Sequence, residues 1–330
     1  MALFETGGNM NVTELSPTDK YLSYKEELER EKKAGDPKRV RRAEYELELM
    51  KNSRFIEING VVHHYQVSGP EDAEETVLLV HGWDCWWLWW HHVIRELNRQ
   101  GIRTIAYDLK GHGWSNSDPR KDYSIASFSS DLAEIVKKLG IHDFHIAAFS
   151  FGPFVTLDYA SKTHDNIKSI IFYNFGSTPN NAILERFAPA ILTFTFNKVL
   201  RKIPWWQPLY AYARVVLARN PVSFHDIMVG VKSLELCCPE AILMTTRQIT
   251  MREVTESIPD MVASVDVPLL FVAGDGDVIM SSRNIRKLHD CAKQGSYVCV
   301  PKCGHLITLE LPEKATGLIM EQIRSVNGRA

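Results

Sequence analysis

An apolar run that stops at a serine and restarts as a helix constrains this chain more than any other feature. Phe144-His145-Ile146-Ala147-Ala148-Phe149 reads as a buried parallel strand. Beyond Ser150-Phe151-Gly152, Pro153-Phe154-Val155-Thr156-Leu157-Asp158-Tyr159-Ala160 reads as a helix, with Pro153 in the first turn, where a missing N–H costs little. Small-x-Ser-x-Gly at such a junction lifts the serine side chain above the sheet. It also sets helix N–H groups where an oxyanion would form. The same residues would serve a plain strand–turn–helix in which Ser150 is only an N-cap. The rest of the chain decides.

Before this junction, Phe55–Val67 predicts a hairpin turning at Asn59-Gly60, with His63 and His64 on opposite faces and both structural. Thr76–Val80 is a strand running into His81-Gly82-Trp83, followed by a helix through Arg99, a strand at 102–107 and a helix over 125–139. After it come strands at 167–173, 267–273 and 297–300, a helix over 281–293, and a last helix opened by Pro312. Alternating strands and helices predict a mostly parallel, doubly wound sheet covered on both faces. From about Thr178 to Pro259 the rhythm gives way to helical, aromatic sequence without strands. The expected organisation is a charged helical extension over 1–53, a core over 54–177 and 260–330, and an inserted helical cap over 178–259. Asp36-Pro37 suits a helix start in the extension, which is expected to pack one weak stripe on the core, with a dimerisation arm as the sharper alternative.

Small-x-Ser-x-Gly between strand and helix, His-Gly after an earlier strand, and the Asp108–Ser115 loop resemble the α/β-hydrolase family. Ala148 departs from that family's first glycine. The resemblance implies an α/β-hydrolase fold and the chain order Ser, acid, His. Gly274-Asp275-Gly276-Asp277 and Pro301-Lys302-Cys303-Gly304-His305 each follow a strand, where open α/β sheets gather ligand-side groups. Ser150 is then the nucleophile, His305 the base and Asp277 its orienting carboxylate, with Asp275 the competing acid. Trp83 and Phe151 would supply the oxyanion N–H groups, Asp84 being an alternative contributor. His81, His112 and Ser115 read as scaffold.

The chain is 330 residues, 45% hydrophobic and 24% charged, with a formal net charge of -2, which gives no reason to expect a nucleic-acid partner. Met1–Lys20 does not read as a signal peptide, and no apolar run is long enough to span a bilayer. The six cysteines lack zinc-ligand spacing and are expected to be reduced, in a cytoplasmic protein. Trp83, Phe151, Trp205 and Trp206 are expected to contact substrate, and Trp86, Trp89 and Trp90 to share one helical face. An aromatic cap over a serine predicts a medium or bulky hydrophobic ester, hydrolysed through an acyl-enzyme with no metal or organic cofactor. Lactone, amide or C–C cleavage, a ligand-binding receptor of this fold, a homodimer and membrane contact through the basic, aromatic cap stay open. Epoxide hydrolases of the family use Asp at the position of Ser150, which argues against that activity.

Overall fold

The structure, a computed structural model, describes residues 15–163, 166–177, 182–202 and 206–328, apart from the side chains at 184, 206, 207 and 209. Helices α1 (Asp19–Ala34) and α2 (Pro37–Leu49) precede strands β1 (Ser53–Ile58) and β2 (Val61–Ser68). Then β3 (Thr76–Val80), α3 (His91–Arg99), β4 (Arg103–Tyr107), α4 (Ile125–Lys138), β5 (Phe144–Phe149), α5 (Gly152–Lys162) and β6 (Ile167–Tyr173) alternate. Between β6 and β7 (Leu269–Gly274) lie α6 (Ala182–Phe194), α7 (Trp206–Tyr212), α8 (Phe224–Leu236), α9 (Pro239–Thr250) and α10 (Arg252–Ser264). The chain ends with α11 (Ser282–His289), β8 (Gly295–Val300), α12 (Ile307–Glu310) and α13 (Pro312–Asn327).

The eight strands form one sheet in the order β1-β2-β4-β3-β5-β6-β7-β8. β2 is antiparallel to β1 and β4, and every other pairing is parallel. Every residue of β5 and β7 is buried, which is why these runs lack polar alternation. On β5, Phe144, Ile146 and Ala148 pack toward α4 and α5, while Ala147 and Phe149 pack toward α3 and α13. This is the doubly wound α/β-hydrolase fold expected from the sequence.

The extension is held more firmly than a weak stripe would allow. Tyr24, Leu28, Ala43 and Met50 are buried in the cluster that contains Trp86 and Trp114. Thr18 Oγ1 donates to the Trp114 carbonyl at 2.7 Å, and Lys20 Nζ donates to the carbonyls of Ser115 (3.0 Å) and Leu236 (2.9 Å). Lys232 on α8 reaches Glu27 at 2.8 Å. The extension therefore bridges the loop after β4 and a helix of the β6–β7 insertion. Hydrophobic periodicity under-reads it because Arg42 and Glu46, buried at 3% and 1% exposure, complete its inner face. Asp36 caps α2 as expected, accepting from the Lys38 and Arg39 N–H groups.

The tryptophan run is not the start of an α-helix. Trp86 is extended, Trp87–Trp90 form a short 3-10 turn, and the α-helix begins only at His91. Trp86 packs against Tyr24 and Trp114, and Trp90 against Tyr173, so Trp86, Trp89 and Trp90 do not share one helical face. The asparagine–glycine hairpin, His63 and His64 stand as expected, both histidines fully buried in β2.

Candidate active site

Ser150 sits one residue beyond β5 with φ +56°, the left-handed conformation that an L-residue adopts only when its surroundings compel it. The next residue, Phe151, is the cap of α5, and no side chain caps that helix, so Ser150 is not serving as an N-cap. Its Oγ instead lies 3.0 Å from His305 Nε2. On the far side of the ring, His305 Nδ1 donates to Asp277 Oδ2 at 2.7 Å. Asp277 Oδ1 accepts from the N–H groups of Ile279 (2.8 Å) and Met280 (3.0 Å), which fixes the carboxylate. Asp277 and His305 are 6% and 7% exposed, so solvent competes little for these bonds. Asp275, the competing acid, faces elsewhere and accepts from the Cys303 N–H at 3.3 Å.

The two N–H groups expected to face an oxyanion flank the serine. Neither the Trp83 nor the Phe151 N–H has a protein partner among the described residues. Gly82 explains the close approach: a Cβ on it would come 3.1 Å from Ser150 Cβ and 3.0 Å from the Phe149 ring. The Trp83 side chain turns to the insertion, its Nε1 donating to Thr245 Oγ1 at 3.0 Å and its ring meeting Phe196 edge-on at 4.2 Å.

His81, His112 and Ser115 are fully buried and bonded to backbone of the surrounding loops. His81 Nδ1 donates to the Gly82 carbonyl at 2.8 Å and Nε2 accepts from the Leu109 N–H at 3.0 Å. Burial keeps its pKa below the usual imidazole range. Ser115 Oγ donates to the Asp108 carbonyl at 2.7 Å, and Asp108 Oδ1 accepts from the Trp87 N–H at 2.7 Å. Gly113, at φ +46°, is required there, since a Cβ would lie 2.3 Å from the Asp108 carboxyl carbon.

Ser150 and His305 open into a cavity of about 490 Å³ walled mostly by apolar side chains from the sheet loops and the insertion, among them Trp89, Phe149, Phe154, Phe175, Leu192 and Phe196. Trp83 and Phe151 also line it. Trp205 and the Trp206 side chain, the other expected substrate contacts, lie outside the described residues.

Asn174, at the carboxyl end of β6, was missed by the sequence reading. Its Oδ1 accepts from the Gly274 N–H at 3.0 Å, and its Nδ2 donates to the His305 carbonyl at 2.7 Å. One buried amide thus ties the acid loop to the histidine loop. The available signal was its position, a polar residue directly after an apolar strand in a parallel sheet.

The arrangement can deliver a hydroxyl nucleophile, a base aligned by a carboxylate, and two N–H donors beside an apolar chamber. Comparison with known proteins agrees with the fold. The alpha/beta hydrolase fold family matches residues 75–223. The fold of the chain is that of the α/β-hydrolases. RutD of Variovorax paradoxus, whose name assigns carbamate hydrolysis provisionally, is 32% identical over 117 residues, covering 36% of this chain and 44% of RutD. Epoxide hydrolase 3 of Xenopus tropicalis is 28% identical over 117 residues, covering 35% of this chain and 31% of its own length. The chain thus matches less than half the length of these curated relatives. An esterase from Thermogutta terrifontis superposes with TM-score 0.68 at 21% identity over 83% of this chain and 98% of that one, a likeness of fold.

Proposed function

We propose that this protein is a serine hydrolase that cleaves a carboxylic ester of a medium or bulky hydrophobic substrate through an acyl-enzyme. The observation that carries the reading is the continuous line from Ser150 Oγ through His305 to Asp277, at 3.0 and 2.7 Å, opening on an apolar cavity. Ser150 Oγ attacks the ester carbonyl while His305 Nε2 takes the hydroxyl proton. The negative charge that develops on the carbonyl oxygen meets the Trp83 and Phe151 N–H groups. Asp277 holds the ring in the tautomer that leaves Nε2 free to accept, and stabilises the imidazolium. His305 then gives its proton to the leaving alcohol. A water that loses a proton to His305 attacks the acyl-enzyme and frees both the acid and Ser150.

Serine at position 150 separates this reading from epoxide opening, despite the epoxide hydrolases among the relatives, because the family resemblance attaches a carboxylate nucleophile to that chemistry. The residues from 178 to 259 act as a cap in this account, since Leu192, Phe196 and Ile227 from that segment wall the cavity. The cysteines of the described structure are free, which fits a cytoplasmic protein. No helix among the described residues is long and apolar enough to cross a membrane. Hydrolysis of p-nitrophenyl esters from acetate to long acyl chains tests the substrate class. The expected profile rises from acetate to a medium chain. A profile that falls steadily from acetate would overturn the hydrophobic-acyl assignment.

A further inference from the structure

Asp84 carries two costs in its own turn. It is the third residue of the turn from Gly82 to Cys85, closed by the Cys85 N–H to the Gly82 carbonyl at 3.3 Å. Its φ is +51°, a conformation that glycine would adopt with less strain at this place in a turn. The residue is 7% exposed, and among the described residues Oδ1 has no hydrogen-bond partner. An unmet buried polar atom costs stability in its own right. Both costs fall on the residue immediately after Trp83, on the wall of the cavity that holds Ser150.

Several other polar side chains on that wall are occupied. Asn174 is engaged with Gly274 and His305. Asp226 Oδ1 accepts from both His91 and His92, each at 2.9 Å, while Oδ2 accepts from the Ser223 hydroxyl at 2.7 Å. Thr250 and Thr255 donate back to carbonyls of their own helices. Among the described cavity-lining side chains, Asp84 alone leaves a buried oxygen unpartnered.

We infer that Asp84 is a specificity-determining residue that donates a hydrogen bond from its carboxylic acid to an uncharged oxygen on the substrate, in an otherwise apolar chamber. The inference rests on the ester-hydrolase reading and narrows its substrate class. The preferred ester carries an ether or carbonyl oxygen in addition to the scissile group, rather than a plain hydrocarbon chain. Burial pushes the Asp84 carboxyl up to about 8, against the opposing pull of Arg201 and the Cys237 thiol, so the acid form that can donate dominates at neutral pH.

The test uses two ester series of matched length, one with an oxygen replacing a methylene at successive positions of the acyl chain, the other with it in the alcohol chain. For each, the ratio of kcat/KM to the plain hydrocarbon ester is measured in the wild type and in Asp84→Asn and Asp84→Leu. Comparing ratios between proteins removes the intrinsic reactivity of each ester. In the wild type, at least one oxygen position is favoured by about tenfold over its ratio in Asp84→Leu. Asp84→Asn, whose amide can still donate, keeps part of that preference. The wild-type preference fades above about pH 8 while that of Asp84→Asn does not.

Ratios that agree in all three proteins across both series would overturn the inference. So would a preference that persists unchanged to high pH in the wild type, because an ionised carboxylate has no proton to donate and the oxygen would then be held by another group. Fluorophosphonate labelling of Ser150 is followed in every variant. Labelling with unchanged ratios sinks only the role of Asp84, whereas failure of labelling in the folded wild type sinks the ester-hydrolase reading itself. Should Asp84→Leu not fold, Asp84→Gly keeps the comparison, and the turn geometry predicts that it melts above the wild type.

Discussion

Gly152 stands against the Val80 carbonyl: a Cβ built on it would come 2.6 Å from that oxygen and 2.9 Å from the His81 carbonyl. The elbow therefore needs glycine on the helix side of Ser150, where α5 passes over the end of β3. The strand side is different, because Ala148 is fully buried with its methyl group packed in the core. Gly152→Ala should cost about 1–3 kcal/mol and cut ester hydrolysis, because the backbone under Ser150 must shift. Ala148→Gly should leave turnover unchanged and cost about 0.5–1 kcal/mol. Urea denaturation with parallel assays distinguishes the two, and equal effects would contradict this account of the elbow.

The left-handed backbone at Ser150 makes a second prediction, about stability rather than rate. Ser150→Ala and Ser150→Gly should both abolish turnover, but Ser150→Gly should be the more stable by about 1 kcal/mol, since glycine adopts φ +56° without strain. Identical melting curves would show that the turn is not strained.

Asp277→Asn should keep the fold and lower kcat by about 10³- to 10⁴-fold, because an amide in place of the carboxylate favours the wrong tautomer of His305. A loss of only a few fold would shift the orienting role to another group.

Asn174→Ala removes partners from a buried N–H and a buried carbonyl at once. It should destabilise the protein by about 1–3 kcal/mol and lower kcat more than it raises KM, since the loops carrying Asp277 and His305 lose their shared tie. A change in KM alone would place Asn174 among simple substrate contacts.

Buried histidines that resist protonation lower stability in acid, His91 and His112 most strongly. Burial, helped for His91 by the neighbouring His92 and His225, holds the His91 pKa down to about 4; burial and His81 hold that of His112 to about 3. Each is lowered from 6.5, so the unfolded chain binds protons that the folded chain refuses. Their contribution is fully present above about pH 6.5 and is lost as pH falls, down to about 4 for His91 and about 3 for His112. Burial alone would raise the Asp226 pKa, but bonds from His91 and His92 hold it well below the carboxylate range, so its stabilisation is lost at still lower pH. The urea midpoint should decline steadily below about pH 6.5, and less steeply in His112→Gln. A flat midpoint from neutrality to pH 4.5 would contradict this.

Much of this was legible because a parallel sheet writes itself into sequence as apolar runs, each followed by a loop that carries chemistry. Ser150, Asp277 and His305 each follow such a run, and the fold brings them together across 155 and 28 positions of separation. Asn174 was not legible, since its partners lie 100 and 131 residues away and nothing local marks the bond. The helices of the extension were legible, but the depth of their packing was not, because the buried face includes Arg42 paired with Glu31 and Glu46, which an apolar pattern does not register. Trp86 was misplaced on a helix because aromatic spacing alone cannot distinguish an α-turn from an extended residue followed by a 3-10 turn.

Fluorophosphonate labelling, read by peptide mass, tests the central claim that Ser150 is an activated nucleophile. The account predicts a single adduct on the peptide carrying Ser150, absent in Ser150→Ala and formed far more slowly in His305→Gln. An absence of adduct in the folded wild type, or an adduct that survives Ser150→Ala, would contradict it.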